Sequence, residues 1–331
     1  MPAIRTILVA VKNPDERRQP GIEKALHIAH SLGARVELFH AISTPVLMDL
    51  QPLSGSSLAD LRREALALRG QRLERWVARA HHLGVKASTF VEWDFPPHEA
   101  IVRRSIRMRA DLIIAECHKG RRVAPWLIHL TDWELLRASP VPVLLLKNGR
   151  PWRKRALLAA VDPSHAHAKP TRLDALIVDQ AKQLGRKLGG TLHVMHANFP
   201  SLFGLTLGDP SIDGVTLEAT FEQQKELDRK VFAAFAGTER IPRERRHLVD
   251  ADPVTAIPRV ARKLGADLVV MGAVSRSGLK RMLIGNTAER VLNDLPCDVL
   301  VVKPAHFAKR VTEKVRGMRV VPPQPILPMP V

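Results

Sequence analysis

One stretch of this chain repeats itself without a gap, and that repeat constrains the fold more than any other feature. Residues 110–147 can be laid on residues 266–303 at a constant offset of 156 (266 less 110). Ala110, Asp111, Leu112, Leu127, Ile128, Thr131, Leu136, Pro140, Val143 and Lys147 all recur at the shifted positions. The register continues upstream, where Asp94, Pro97, Ala100, Ile101 and Arg103 fall on Asp250, Pro253, Ala256, Ile257 and Arg259. Residues 7–14 resemble 157–164 at a slightly shorter offset. Self-similarity on this scale means two copies of one domain, and 331 residues give each copy an ordinary domain length.

Each copy alternates apolar runs with segments of helical spacing. In the first, strands are expected at 7–11, 36–41, 87–93, 112–115 and 143–146, with helices at 21–31, 57–83, 97–108 and 131–138. The second copy repeats the order, with strands near 157–161, 192–197, 247–249, 268–271 and 299–302. Apolar strands separated by helices imply a parallel sheet covered on both faces, with ligands at the carboxyl ends of the strands near a topological switch point. Domain one is expected over 1–147, a linker over 148–155 and domain two over 156–304. The basic, proline-rich tail, 305–331, is expected to be disordered. Two long segments after the second strand of each copy, 43–57 and 199–215, could act as flaps.

Composition narrows the partners. A net charge of +18 would attract nucleic acid, anionic lipid or phosphorylated ligands. The basic residues are scattered, and the absence of tyrosine leaves little stacking surface, so nucleic-acid binding is not favoured. No apolar run reaches the roughly 18 residues of a membrane span, and residues 1–14 lack the order of a signal peptide, so a cytoplasmic location is expected. Cys117 and Cys297 have neither a disulfide framework nor a zinc spacing around them.

The chemistry concentrates between Gly272 and Gly285. An apolar strand, Leu268 to Met271, ends at Gly272, a loop carrying Ser275, Arg276, Lys280 and Arg281 follows, and Gly285, Asn286 and Thr287 open a helix. Unpaired N–H groups and the positive end of the helix dipole would make a phosphate cradle there. An ordinary strand–loop–helix, with Asn286 as cap and Glu289 three residues on, explains the same residues without a ligand. His165 and His167 lie two apart after Asp162 with no third metal ligand placed by spacing. His81 with His82, and His193 with His196, are no stronger; the latter two fall on opposite strand faces. No nucleophile elbow, Walker A loop or triad spacing is present.

The duplication, the strand order and a G-x2-G-x9-G-[ST]-like segment after the fourth strand together resemble the universal stress protein family, over about residues 4–304. Segments 131–137 and 283–289 resemble the bacterial tandem E-type members in particular. The resemblance implies an α/β fold of two tandem five-stranded parallel-sheet domains, adenine-nucleotide-hydrolase-like and Rossmann-like. It also implies a stress-response role and, in ATP-binding members, phosphates held by the motif and adenosine held by an acidic residue after the first strand. Carried over, this assigns nucleotide binding in copy two to Asp162, Gly272, Ser275, Arg276, Gly285, Asn286 and Thr287, with Mg2+ accompanying the nucleotide. Ser275 and Asn286 depart from the motif's second glycine and its Ser/Thr. Copy one departs throughout: Glu116, Lys119, His129 and Leu130 stand at the motif positions, and Lys12 stands where copy two has Asp162. Copy one is therefore expected to serve as an intramolecular pairing partner.

Four functions are compatible with these residues. The first is a regulatory protein binding a small anionic ligand, ATP or a related adenine nucleotide. The second is a weak ATPase or phosphotransferase using Asp162; the third holds a lipid-like anionic metabolite under the 199–215 flap. Nucleic-acid binding driven by charge is the fourth. A homo-oligomer is left open.

Overall fold

The computed structural model describes residues 3–44, 46–47, 58–117, 130–164, 172–198, 214–272, 286–304, 307, 311–318 and 320–321. It divides into two compact units, Ile4–Val141 with Lys309–Val331, and Pro142–Ala308 with Met1–Ala3.

The first unit runs β1 (Thr6–Ala10), α1 (Pro20–Leu32), β2 (Arg35–Ile42), a short β3 (Val46–Leu47), α2 (Leu58–His82), β4 (Ala87–Trp93), α3 (Pro97–Arg107), β5 (Leu112–Glu116) and α4 (Leu130–Ala138). Its main sheet has the order β4-β2-β1-β5, all parallel. Ile7, Leu8 and Val9 are buried in succession, as are Leu112, Ile113 and Ile114. Central strands covered on both faces need apolar side chains at every position, which is why no alternation marks them.

The second unit contains β6 (Val143–Leu146), β7 (Ala156–Val161), α5 (Leu173–Leu188), β8 (Thr191–Ala197), α6 (Gly214–Thr238), β9 (Arg246–Val249), α7 (Pro253–Leu264), β10 (Leu268–Gly272), α8 (Asn286–Asp294) and β11 (Asp298–Val302). Its strand order is β6-β11-β10-β7-β8-β9. Leu157 pairs with Leu268 as Ile7 pairs with Leu112, so the two copies share one register. Helices α1 and α5 end at Gly33 and Gly189, with φ of 67° and 64°, where the left-handed cap favours glycine.

The recurring aspartates have a common task. Asp111 accepts hydrogen bonds from Arg5 N and Thr6 N, both at 2.9 Å, at the entry to β1. Asp267 accepts from Arg153 N at 3.2 Å and Arg155 N at 2.6 Å at the entry to β7. Segment 148–155 is thus tied to the second unit, a bond from Trp152 Nε1 to Asp298 Oδ2 at 2.8 Å adding to the anchorage.

Two expectations need correction. The last strand expected for copy one, β6, forms at Val143–Leu146 as expected, but it pairs antiparallel with β11, Val143 opposite Val301, where a parallel sheet is expected. All four β6 residues are buried, and burial on both faces marks a strand without specifying its neighbour or direction. The tail is also not disordered throughout. Arg316 N and Gly317 N donate to the buried Asp94 Oδ1 at 2.9 and 3.2 Å, and Arg103 donates to Thr312 O at 2.9 Å. Arg107 reaches Glu313 O at 3.1 Å, and β12 (Val320–Val321) pairs parallel with β3. Main-chain donors matched to a buried carboxylate hold a segment whose composition alone argues for disorder. Residues 322–331 lie outside the described residues.

Candidate functional site

In the second unit the chain builds outward from β7 to β8 and β9, then returns to place β10 on the other side of β7. The place between β7 and β10 is therefore the topological switch point, where sheets of this kind take their ligands at the carboxyl ends of the strands. Met271 lies opposite Ala160 in the ladder, so Gly272, the last residue of β10, and Asp162, the first residue past β7, stand at neighbouring strand ends. The structure thus brings these two expected residues together. Asn286 and Thr287 are the first residues of α8. Ser275, Arg276 and Gly285 lie outside the described residues, as do His165, His167, Lys119, His129 and most of both flap segments.

Asp162 is held by local structure. Its N–H donates to Asp174 Oδ1 at 2.9 Å, and Asp174 lies in the first turn of α5, where a carboxylate complements the helix dipole. Asp162 Oδ1 lies 3.8 Å from His196 Nδ1. That nitrogen is 3.2 Å from Val161 O, and Nε2 on the far side of the ring is 3.4 Å from Ser164 Oγ. A carbonyl oxygen can only accept, so Nδ1 carries the hydrogen and Nε2 presents its lone pair to Ser164. The His196 residue is 1% exposed, and its ring lies 5.8 Å from that of Phe232.

Gly272 has a packing explanation of its own. A Cβ there would lie 2.9 Å from Leu173 Cδ2 and 3.3 Å from Ile177 Cδ1, so glycine lets α5 lie against the strand end. The first unit solves the same problem in reverse. Glu116 takes the place of Gly272, and a Cβ on Gly21, the counterpart of Ile177 at the offset of 156, would collide with the Glu116 carboxylate. Bulk has moved from helix to strand. At the end of β1, Lys12 is exposed as a residue, yet crowding of its ammonium lowers its pKa, opposed by Asp132, Cys117 and Glu116. A lysine and a glutamate thus occupy the positions of Asp162 and Gly272, and the two sets of strand ends differ in chemistry.

One repeated feature escaped sequence reasoning. His40 lies 156 residues before His196, is also buried, and places Nδ1 2.8 Å from Val11 O at the end of the first strand. Burial lowers the pKa of His40, keeping the ring neutral. The offset was the available signal. His193 instead meets His247 across β8 and β9, Nδ1 to Nε2 at 3.0 Å, and His81 and His82 are exposed at the end of α2.

Among the described residues no cluster of three or more potential ligand side chains could hold a metal ion, and no helix is long and apolar enough to cross a membrane.

The family model described as universal stress protein family matches residues 3–147 and again 155–303. Universal stress protein E of Salmonella typhi is 26% identical over 303 residues, covering 91% of this chain and 95% of that protein. Universal stress protein E of Escherichia coli K12 is 26% identical over 302 residues, covering 91% and 94%. Among solved structures, one assigned to the universal stress proteins from Pseudomonas aeruginosa UCBPP-PA14 superposes with a TM-score of 0.66 at 28% identity, covering 92% of this chain and 94% of that one. A universal stress protein from Archaeoglobus fulgidus shares the fold, with a TM-score of 0.60 at 18% identity over 89% and 98% of the two chains. With two family domains in tandem and relatives matched along nearly their whole length, the chain belongs to the universal stress protein family, in the tandem arrangement of its E-type members.

Proposed function

We propose that the second copy binds an adenine nucleotide, ATP or a close relative, at the carboxyl ends of β7 and β10, and that it acts on this ligand by binding rather than by turnover. The observation that carries this reading is the meeting of Asp162 and Gly272 at the switch point, set against Lys12 and Glu116 in the first copy. Asp162 would accept from the ribose hydroxyls. Ser275, Arg276, Gly285, Asn286 and Thr287 would hold the phosphates, Mg2+ entering with them and the N-terminus of α8 supplying N–H donors. The first copy would contribute no nucleotide site, since its glutamate opposes a phosphate. A cytoplasmic regulatory protein whose partners respond to the bound ligand follows from this reading.

Calorimetric titration of ATP, with and without Mg2+, tests it. The expected result is one nucleotide per chain, with affinity reduced at least tenfold by Asp162→Ala or Gly285→Val. Unchanged affinity in Gly285→Val removes the cradle. A purified chain that carries an acyl-containing ligand and ignores ATP replaces the nucleotide with an amphipathic anion.

A further inference from the structure

The geometry points to a second capability in the same copy: Ser164, His196 and Asp162 form a hydroxyl–imidazole–carboxylate relay, and we propose that Ser164 is a nucleophile that accepts acyl groups from small carboxylic esters. The inference uses the strand ends of the nucleotide reading but not its ligand.

Three observations carry it. The first is the sequence of contacts already given, from Ser164 Oγ to His196 Nε2 at 3.4 Å and from His196 Nδ1 to Asp162 Oδ1 at 3.8 Å. The first distance is long for a hydrogen bond, as such contacts commonly are before substrate tightens them. The second is too long for a hydrogen bond and short enough for the carboxylate to stabilise an imidazolium. Second, the carbonyl of Val161 fixes the tautomer that a general base needs, with the Nε2 lone pair facing the hydroxyl.

Third, the first copy supplies an internal comparison. It keeps the buried histidine and its carbonyl, His40 and Val11, but has Pro14 and Lys12 where the second copy has Ser164 and Asp162. The histidine–carbonyl bond is therefore architecture common to both copies, whereas the nucleophile and the carboxylate are peculiar to one. Placement agrees with the task. Ser164 is half-buried just past the end of β7, and His196 lies buried behind it beside Phe232.

The chemistry balances with water as the second reactant. As Ser164 Oγ bonds to the ester carbonyl carbon, its proton passes to His196 Nε2. The bond from that carbon to the alkoxide oxygen then breaks, and the alcohol leaves with the proton from Nε2. Water repeats the sequence, releasing the carboxylic acid and restoring the hydroxyl.

The test uses the full chain with p-nitrophenyl acetate, following nitrophenol release and locating any acetyl adduct by peptide mass spectrometry. The expected result is an adduct on Ser164 and release above the buffer rate. Ser164→Ala should abolish the adduct and lower release by about 100-fold or more, the usual scale for a positioned base acting on its nucleophile. Asp162→Asn should lower release about tenfold and move the midpoint of the pH–rate profile, which loss of packing alone would not do. Ser164→Cys, with nearly the same shape, should recover an adduct as a thioester. An adduct confined to lysines, release unchanged in Ser164→Ala, or no release above buffer by the folded protein would each overturn the proposal. Loss of ATP binding with the Ser164 adduct intact would remove the nucleotide reading alone.

Discussion

Asp94 and its counterpart Asp250 offer a comparison in which repeat position is held constant and burial is not. Asp94 is 0% exposed; Oδ1 accepts from Phe95 N, Arg316 N and Gly317 N, and Oδ2 accepts from Arg103 Nη2 at 2.6 Å. Arg103 is itself 2% exposed. Removing one partner of a buried ion pair leaves the other charge without compensation and costs about 3–5 kcal/mol. Asp250 accepts from Asn198 Nδ2 at 2.9 Å and from Arg229 Nη2 at 3.0 Å, and its side chain is 45% exposed. Water can replace Asp250 for the half-exposed Arg229, whereas Asn198 is 1% exposed and keeps only a longer bond to Lys225 O, so the expected loss is about 1–2 kcal/mol.

Asp94→Ala should therefore destabilise the first unit about 3–5 kcal/mol and release the tail, whereas Asp250→Ala should cost less, about 1–2 kcal/mol. Asp94→Asn keeps an oxygen for the three N–H donors while losing the charge opposite Arg103, and should fall between them. Urea unfolding combined with amide exchange reads both effects, the second through the Arg316 and Gly317 N–H groups. Equal costs for Asp94→Ala and Asp250→Ala, or unchanged protection at Gly317 in Asp94→Ala, would refute this account of the tail.

Other consequences follow from the same geometry. Gly190→Ala would put a Cβ 2.4 Å from Arg155 O, a backbone atom that cannot swing aside, and should cost about 2–3 kcal/mol in urea unfolding. Gly272→Ala meets only side-chain tips, so it should cost about 1 kcal/mol and be relieved by Leu173→Ala. Burial lowers the pKa of His193 and His247, each other's neighbours and faced by Arg245 and Lys263. A folded-state pKa below the unfolded value means that the unfolded chain binds more protons. Stability is thus complete above the unfolded histidine pKa and should fall as pH drops from about 7 to 5, less steeply in His247→Gln. Burial pushes the Cys297 thiol up to about 12, so iodoacetamide at neutral pH should modify it only after unfolding.

What was legible in the sequence depended on what the physics repeats. Strands such as 112–115 and 143–146 appeared where apolar runs put them, because burial dictates side-chain type at each position. Asp162 and Gly272 are named together only through the family resemblance; their neighbouring places at the ends of β7 and β10 come from the sheet order. Pairing direction did not follow, since β6 presents buried apolar residues whichever way its neighbour runs. Nor did the docked tail, whose anchors are mainly backbone N–H and C=O groups that every residue carries. Gly272 was read as room for a phosphate, and it also makes room for Leu173. Only coordinates could show that, because a missing Cβ has no signature of what fills its place. The counterpart of His196 is His40 in the other copy, not its strand neighbour His193, and only the repeat offset links the two.

The central claim is that duplication left one ligand site per chain, in the second copy. Amide exchange with and without saturating ATP locates the site directly. The account predicts slowed exchange at the carboxyl ends of β7 and β10 and across the first turn of α8, with the ends of β1 and β5 unchanged. Protection centred on Lys12 and Glu116, or equal protection in both copies, would contradict it.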